Sequence, residues 1–154
     1  MSAAEELVIR PFSTDDVPRW ARTELERSHL LDALATTGDY LAAVVPDGRV
    51  VGKLGIRYDE QTDAGTVIQF DVVPEHRNRG IGTRLLARAE QLIRDRGLRR
   101  ATLAVEEDNA AALRLYRRLG YREFGREPAE WDQQYPDGTV YRYHCVCLLL
   151  QRRL

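Results

Sequence analysis

The stretch from Val72 to Arg96 changes its hydrophobic period part-way, and that change limits what this chain can become more than any other feature. Val72-Val73 closes a β-branched run, Pro74-Glu75-His76-Arg77-Asn78-Arg79 is polar, and Gly80-Ile81-Gly82 follows at once. From Thr83 onward Leu85, Leu86, Ala89, Leu92 and Ile93 recur at helical spacing, and Gly97 supplies a C-terminal cap. A strand thus turns through two glycines into an amphipathic helix. Glycines at 80 and 82 let backbone N–H groups turn inward and approach a ligand without Cβ clashes. At the head of a helix those N–H groups and the dipole form an anion site. Between Glu75 and Arg88 four arginines stand against one glutamate, a local excess of +3. The pattern suits a phosphate or pyrophosphate.

The remaining elements follow from similar signals. Leu7 to Arg10 reads as a short strand stopped by Pro11, and Ser13 with Asp16 as a capping pair opening one or two helices that run to about Thr36. Tyr40–Val45, Val50–Tyr58 and Thr66–Val73 read as three strands, joined by turns at Pro46-Asp47-Gly48-Arg49 and around Asp59 to Gly65. Ala101–Val105 is a further strand, and Asn109–Leu119 a second amphipathic helix ended by Gly120. Tyr121–Phe124 starts another strand, and Val140–Leu150 reads as a long last one. The order is that of a mixed α+β domain. At 154 residues the chain predicts a single domain over 1–154, long enough for a core without metal or disulfides.

Charge and composition remove several classes of function. The balance of 23 basic and 24 acidic residues, net −1, argues against a nucleic-acid binder. All but one of the basic residues are arginines, and Lys53 is the exception; their forked donors suit phosphates. The start lacks the basic and apolar regions of a signal peptide, and the longest apolar run, Cys145–Leu150, is only strand-sized, so neither export nor a membrane is expected. Cys145 and Cys147 lie two apart in one strand, a poor geometry for bridging each other, which points to a cytoplasmic location. His144 alternates away from both, so no metal site is expected. None of the three serines lies in a Gly-x-Ser-x-Gly turn, which argues against a serine hydrolase. Two phosphate loops also fail: a dinucleotide fingerprint needs glycine where Leu85 stands, and a Walker loop needs a lysine beside its last glycine.

Arg77-Asn78-Arg79-Gly80-Ile81-Gly82 resembles the Arg/Gln-x-x-Gly-x-Gly/Ala acetyl-CoA signature of the GCN5-related N-acetyltransferases (GNAT). Asn109 with Tyr116, followed by Gly120-Tyr121, is similar to the family's Asn-x(6)-Tyr helix and its sequel. The resemblance implies the GNAT fold: a central, mostly antiparallel twisted sheet flanked by helices, with the cofactor at a splay between the motif strand and the next. It also implies transfer of an acetyl group from acetyl-CoA, a cosubstrate, directly to a primary amine without metal.

Carried over residue by residue, the resemblance implies that Arg77, Asn78, Arg79, Gly80, Ile81, Gly82 and Thr83 cradle the pyrophosphate. Val72 and Val73 would pair with the pantetheine arm, one of their N–H groups polarising the thioester carbonyl. Asn109 would bond the pantetheine or cap its helix, roles that are compatible. Tyr116 would be the general acid for the leaving thiolate, with a half-buried core phenol as the alternative. Acids found in specialised members are missing here, since Ala64-Gly65-Thr66 and Leu103-Ala104-Val105 carry none. Asp71 and Glu106 are the substitute bases, acting directly or through water.

Trp131 and Asp132, between the last two strands, are the expected substrate-side loop, since an aromatic plus an acid suits a cationic amine. A structural insert over the sheet edge is the other reading. The expected partners are a small-molecule or protein amine, with neither nucleic acid nor membrane, and a homodimer stays open. The competing function is an acyl-CoA-binding or regulatory module of the same fold with weak catalysis.

Overall fold

The computed structural model describes residues 6–154. Seven strands form one sheet: β1 (Val8–Pro11), β2 (Asp39–Val44), β3 (Val50–Arg57), β4 (Ala64–Val72), β5 (Arg100–Glu106), β6 (Arg122–Gln134) and β7 (Val140–Arg153). Four helices accompany them: α1 (Val17–Trp20), α2 (Glu24–Thr36), α3 (Ile81–Asp95) and α4 (Ala110–Arg118). The spatial order is β1-β2-β3-β4-β5-β7-β6, and every pairing is antiparallel except β4 with β5. The fold is the expected α+β arrangement with a mostly antiparallel sheet.

Two apolar clusters hold the layers. One packs Leu85, Leu86, Ala89 and Ile93 of α3 and Leu113 of α4 against Leu54, Ile56, Val67, Leu103 and Leu150. The other, on the opposite face, joins Val17 and Trp20 of α1 and Leu30 and Ala33 of α2 to Tyr40 and Ala42. Thr23 caps α2 by accepting the Glu26 N–H, and Asn109 caps α4 by accepting that of Ala112.

One irregularity positions the site. The β3–β4 register slips so that Gln69 and Phe70 together oppose Leu54, and Gln69 takes the left-handed region at φ 49°. Such a bulge bends its strand. β4 accordingly stays with β5 only from Ala64–Arg100 to Val67–Leu103, after which the two diverge, while β5 remains paired with β7 to Glu106. The opening is therefore the work of β4.

The region around Trp131 is not a loop. β6 continues through it to Gln134, with Trp131 opposite Tyr143 and Asp132 opposite Arg142. Charged residues, Gly125 and Pro128 disguise a strand at the edge of the sheet, where a proline costs no ladder bond. Cys145 and Cys147 are free thiols with sulfurs 3.9 Å apart, and His144 turns instead to Glu130. Among the described residues there is no cluster of three or more metal-ligating side chains, and no helix is long and apolar enough to cross a membrane.

Candidate active site

The loop after β4 makes a short 3-10 turn at Pro74–His76 and then alternates left-handed residues, with Asn78 at φ 62° and Gly80 at φ 81°. Such alternation aims successive N–H groups into one concavity. The N–H groups of Ile81, Gly82 and Thr83 begin α3 and have no acceptor one turn earlier, and no side chain caps them. A Cβ at Gly80 would meet nothing within 4 Å, and one at Gly82 would stop 3.4 Å from the Phe70 ring. The protein's own packing does not demand glycine at 82; the space is left on the open side.

The arginines divide their work. Arg77 turns back on β4, donating from Nε to the Val72 carbonyl (2.8 Å) and from Nη2 to Asp71 (3.3 Å). Arg84 donates to the Leu7 carbonyl. Arg79 stays exposed beside the nest. The Arg77 N–H is spent on the Pro74 carbonyl, so the cradle proper runs from Asn78 to Thr83.

At the end of β4 the register separates two neighbours that the sequence leaves equivalent. Val73 gives its N–H to the Val51 carbonyl and accepts the His76 N–H, both at 2.9 Å. By ladder alternation the Val72 N–H points away from β3, into the splay. Phe70 and Val72 lie under Gly82, and Tyr116 lies tilted beside Phe70 (6.4 Å between centroids) and edge-on to Tyr121 (6.0 Å). Tyr116 thus shares one neighbourhood with the β4 edge and the head of α3. Burial, helped by the charge of Asp71, pushes its phenol up to about 12.

The two carboxylates occupy opposite banks. Asp71 stands on β4 with its side chain 52% exposed and paired with Arg77. Glu106 ends β5, half-buried, and accepts the Tyr143 hydroxyl. Asn109 caps α4 just beyond.

On the face of α1 and α2 a cleft of about 390 Å³ adjoins the bulge. Its wall holds Trp131 and Asp132 of β6, and the Gln134 side chain fastens β6 to α2 by accepting the Leu25 N–H. The cleft also gathers Trp20, Glu26, His29, Lys53 and Gln69, none of which the sequence marked as functional. Both tryptophans and the single lysine of the chain meet here. Their rarity was the only trace in the sequence. Asp132 is bridged to Arg142 at 3.1 Å, and Trp131 lies 5.1 Å from Tyr143.

A sequence profile described as Acetyltransferase (GNAT) family matches residues 3–121. The chain belongs to the GNAT family. Among curated GNAT relatives, streptothricin acetyltransferase of Streptomyces lavendulae is 32% identical over 66% of this chain and 53% of its own length. Mycothiol acetyltransferase of Clavibacter michiganensis subsp. michiganensis is 32% identical over 76% of this chain and 43% of its own. The chain therefore spans about half of these relatives or less. A GNAT acetyltransferase from Elizabethkingia anophelis, solved with acetyl-CoA bound, shares the fold at a TM-score of 0.71 and 13% identity, over 97% of this chain and 99% of that one.

The GNAT family uses acetyl-CoA, and the residues here fit it on three counts. The uncapped N–H groups of α3 suit a pyrophosphate, the space beside Gly82 admits it, and the splay leaves a free strand edge for an extended arm.

Proposed function

We propose that this chain is an N-acetyltransferase that moves the acetyl group of acetyl-CoA directly onto a primary amine in a ternary complex. One observation carries the reading: the open β4 edge leads, through the loop of residues 73–80, to the uncapped head of α3, with the Tyr116 ring beside Phe70 of that strand. When bound, acetyl-CoA supplies the activated thioester. The N–H groups from Asn78 to Thr83 hold the pyrophosphate, with Arg79 alongside. The Val72 N–H, free of the ladder, polarises the thioester carbonyl and stabilises the oxyanion. Val73 serves as its anchor to β3 through the Val51 carbonyl.

Tyr116, protonated throughout the neutral range, donates to the departing sulfur. The acceptor must lose a proton before it attacks. Glu106, which accepts the Tyr143 hydroxyl, or Asp71, which is paired with Arg77, takes that proton directly or through water. The acceptor enters through the cleft beside the bulge, between Trp20 and Trp131, with Asp132 and Glu26 to attract its charge. A cleft of about 390 Å³ is of small-molecule size. The names of the streptothricin and mycothiol relatives agree with a small acceptor, and a protein N-terminus or side-chain amine is the second class to be tried.

The test is a panel of amines incubated with acetyl-CoA, following release of the CoA thiol. Turnover with one acceptor class, and none without an acceptor, is the expected result. Tight acetyl-CoA binding with no turnover on any amine would replace the transferase by an acyl-CoA-binding module.

A further inference from the structure

Lys53 is the only lysine of the chain, and it is buried, with 8% of its surface exposed. Its Nζ donates to the backbone carbonyl of Gln69 at 2.8 Å and to the Tyr40 hydroxyl at 3.2 Å. The Tyr40 hydroxyl donates in turn to the Gln69 side-chain oxygen at 2.7 Å. Both oxygens of Gln69 are therefore held, one on the backbone and one on the side chain, and the three residues close a ring. Gln69 is the residue in the left-handed region at φ 49°, a conformation unfavourable for any residue bearing a Cβ.

The surroundings are shaped for this contact. A Cβ on Gly55 would stand 2.9 Å from the Tyr40 ring, so the bare backbone there lets the phenol lie across β3. The Trp20 ring faces the ammonium at 5.5 Å. Burial lowers Lys53 to about 8, with the charges of Asp71 and Glu26 opposing the fall, so it remains mostly a cationic donor at neutral pH. A guanidinium is a planar fork, whereas a point ammonium can serve two oxygens converging from a strand and a ring.

We propose that Lys53, acting with Tyr40, is a positioning residue that holds the Gln69 bulge in its left-handed form and so keeps the Val72 edge of β4 open to the acyl donor. The function of that edge rests on the acetyl-CoA reading above; the clamp itself is a property of the ligand-free protein.

Two readouts separate them. Lys53→Met keeps the length of the side chain and removes its donors. In the ligand-free protein it is expected to shift the backbone amide resonances of Phe70, Asp71 and Val72 while those of α3 stay in place. Its acetyl-CoA affinity, measured by calorimetry, should fall about tenfold, the weight of one unheld residue in the left-handed region. Glycine adopts that region unaided, so the double variant Lys53→Met/Gln69→Gly should recover most of the affinity and the amide pattern. Lost packing at position 53 would not be repaired by a glycine on another strand. Unchanged amides in Lys53→Met, or a double variant no better than the single one, overturns the clamp. If Lys53→Met does not fold, the double variant decides alone: folded and binding supports the clamp, unfolded sinks it. Wild-type protein that ignores acetyl-CoA would remove the function of the edge and leave the amide comparison to judge the clamp.

Discussion

Tyr116 is half-buried between Phe70 and Tyr121, and its hydroxyl has no partner among the described residues. Desolvation holds the proton on the phenol, with its pKa pushed up to about 12. A donor of that kind shows no titration of its own between pH 6 and 10. Tyr116→Phe keeps the ring contacts and removes the proton. It is expected to leave acetyl-CoA affinity within about threefold and to lower kcat by about a hundredfold, the lower end for a general acid. Calorimetry and steady-state kinetics measure the two separately; equal turnover by both proteins would end the role. At this scale the legible residues were those whose chemistry is local, such as Gly80 at its positive φ and Tyr116 one helix face from Asn109. Register was invisible: nothing in Val72-Val73 says that the second is spent on Val51 and the first is open. Gln69 was hidden for the same reason, since a glutamine in the left-handed region carries no compositional mark, and Lys53 showed only as the single lysine of the chain.

At the scale of elements, α3 and α4 were readable because an amphipathic helix with a glycine at its end repeats its signal several times. β6 was readable only at its start, Tyr121–Phe124; beyond it an edge strand buries little on either face and so has no alternation to display. Its recognition required β7, whose apolar run is explicit. The join between β1 and α1 shows a further device. Asp16, 3% exposed, accepts both Nη groups of Arg10 at 2.8 Å and the Ser13 N–H. The bond from Arg10, reinforced by Ser13, draws its carboxyl down from 3.8 to about 2. A folded-state pKa below the unfolded one stabilises above the unfolded value, and that stability is lost as pH falls through about 2. The lock is therefore worth at most about 2 kcal/mol, because Arg10 is partly in water. Asp16→Asn should lie below wild type by that margin in urea unfolding at pH 6, and the gap should close between pH 4 and pH 2. A gap independent of pH would show that packing, not charge, sets the cost.

For the whole molecule the net charge is only −1, yet one end of α3 concentrates basic charge around uncapped N–H groups. A small phosphorylated ligand should therefore be felt by the entire fold, since binding to the native state alone raises its stability by mass action. Acetyl-CoA at a hundredfold over its Kd contributes about 2.7 kcal/mol, or a rise in Tm of about 5–10 °C for a domain of this size. ATP and NADH, which carry linked phosphates but lack the pantetheine arm, should give much less. Gly82→Asp is the internal control. The new Cβ meets the Phe70 ring at 3.4 Å and Val72 at 3.8 Å, both ordinary contacts, and an acid in the first turn of a helix is favourable to the dipole, so the starting Tm should hold. Its carboxylate fills and charges the cradle, so the acetyl-CoA shift should vanish. A shift that survives Gly82→Asp would move the phosphate site off α3, and a shift with ATP or NADH but none with acetyl-CoA would leave the fold without its proposed chemistry.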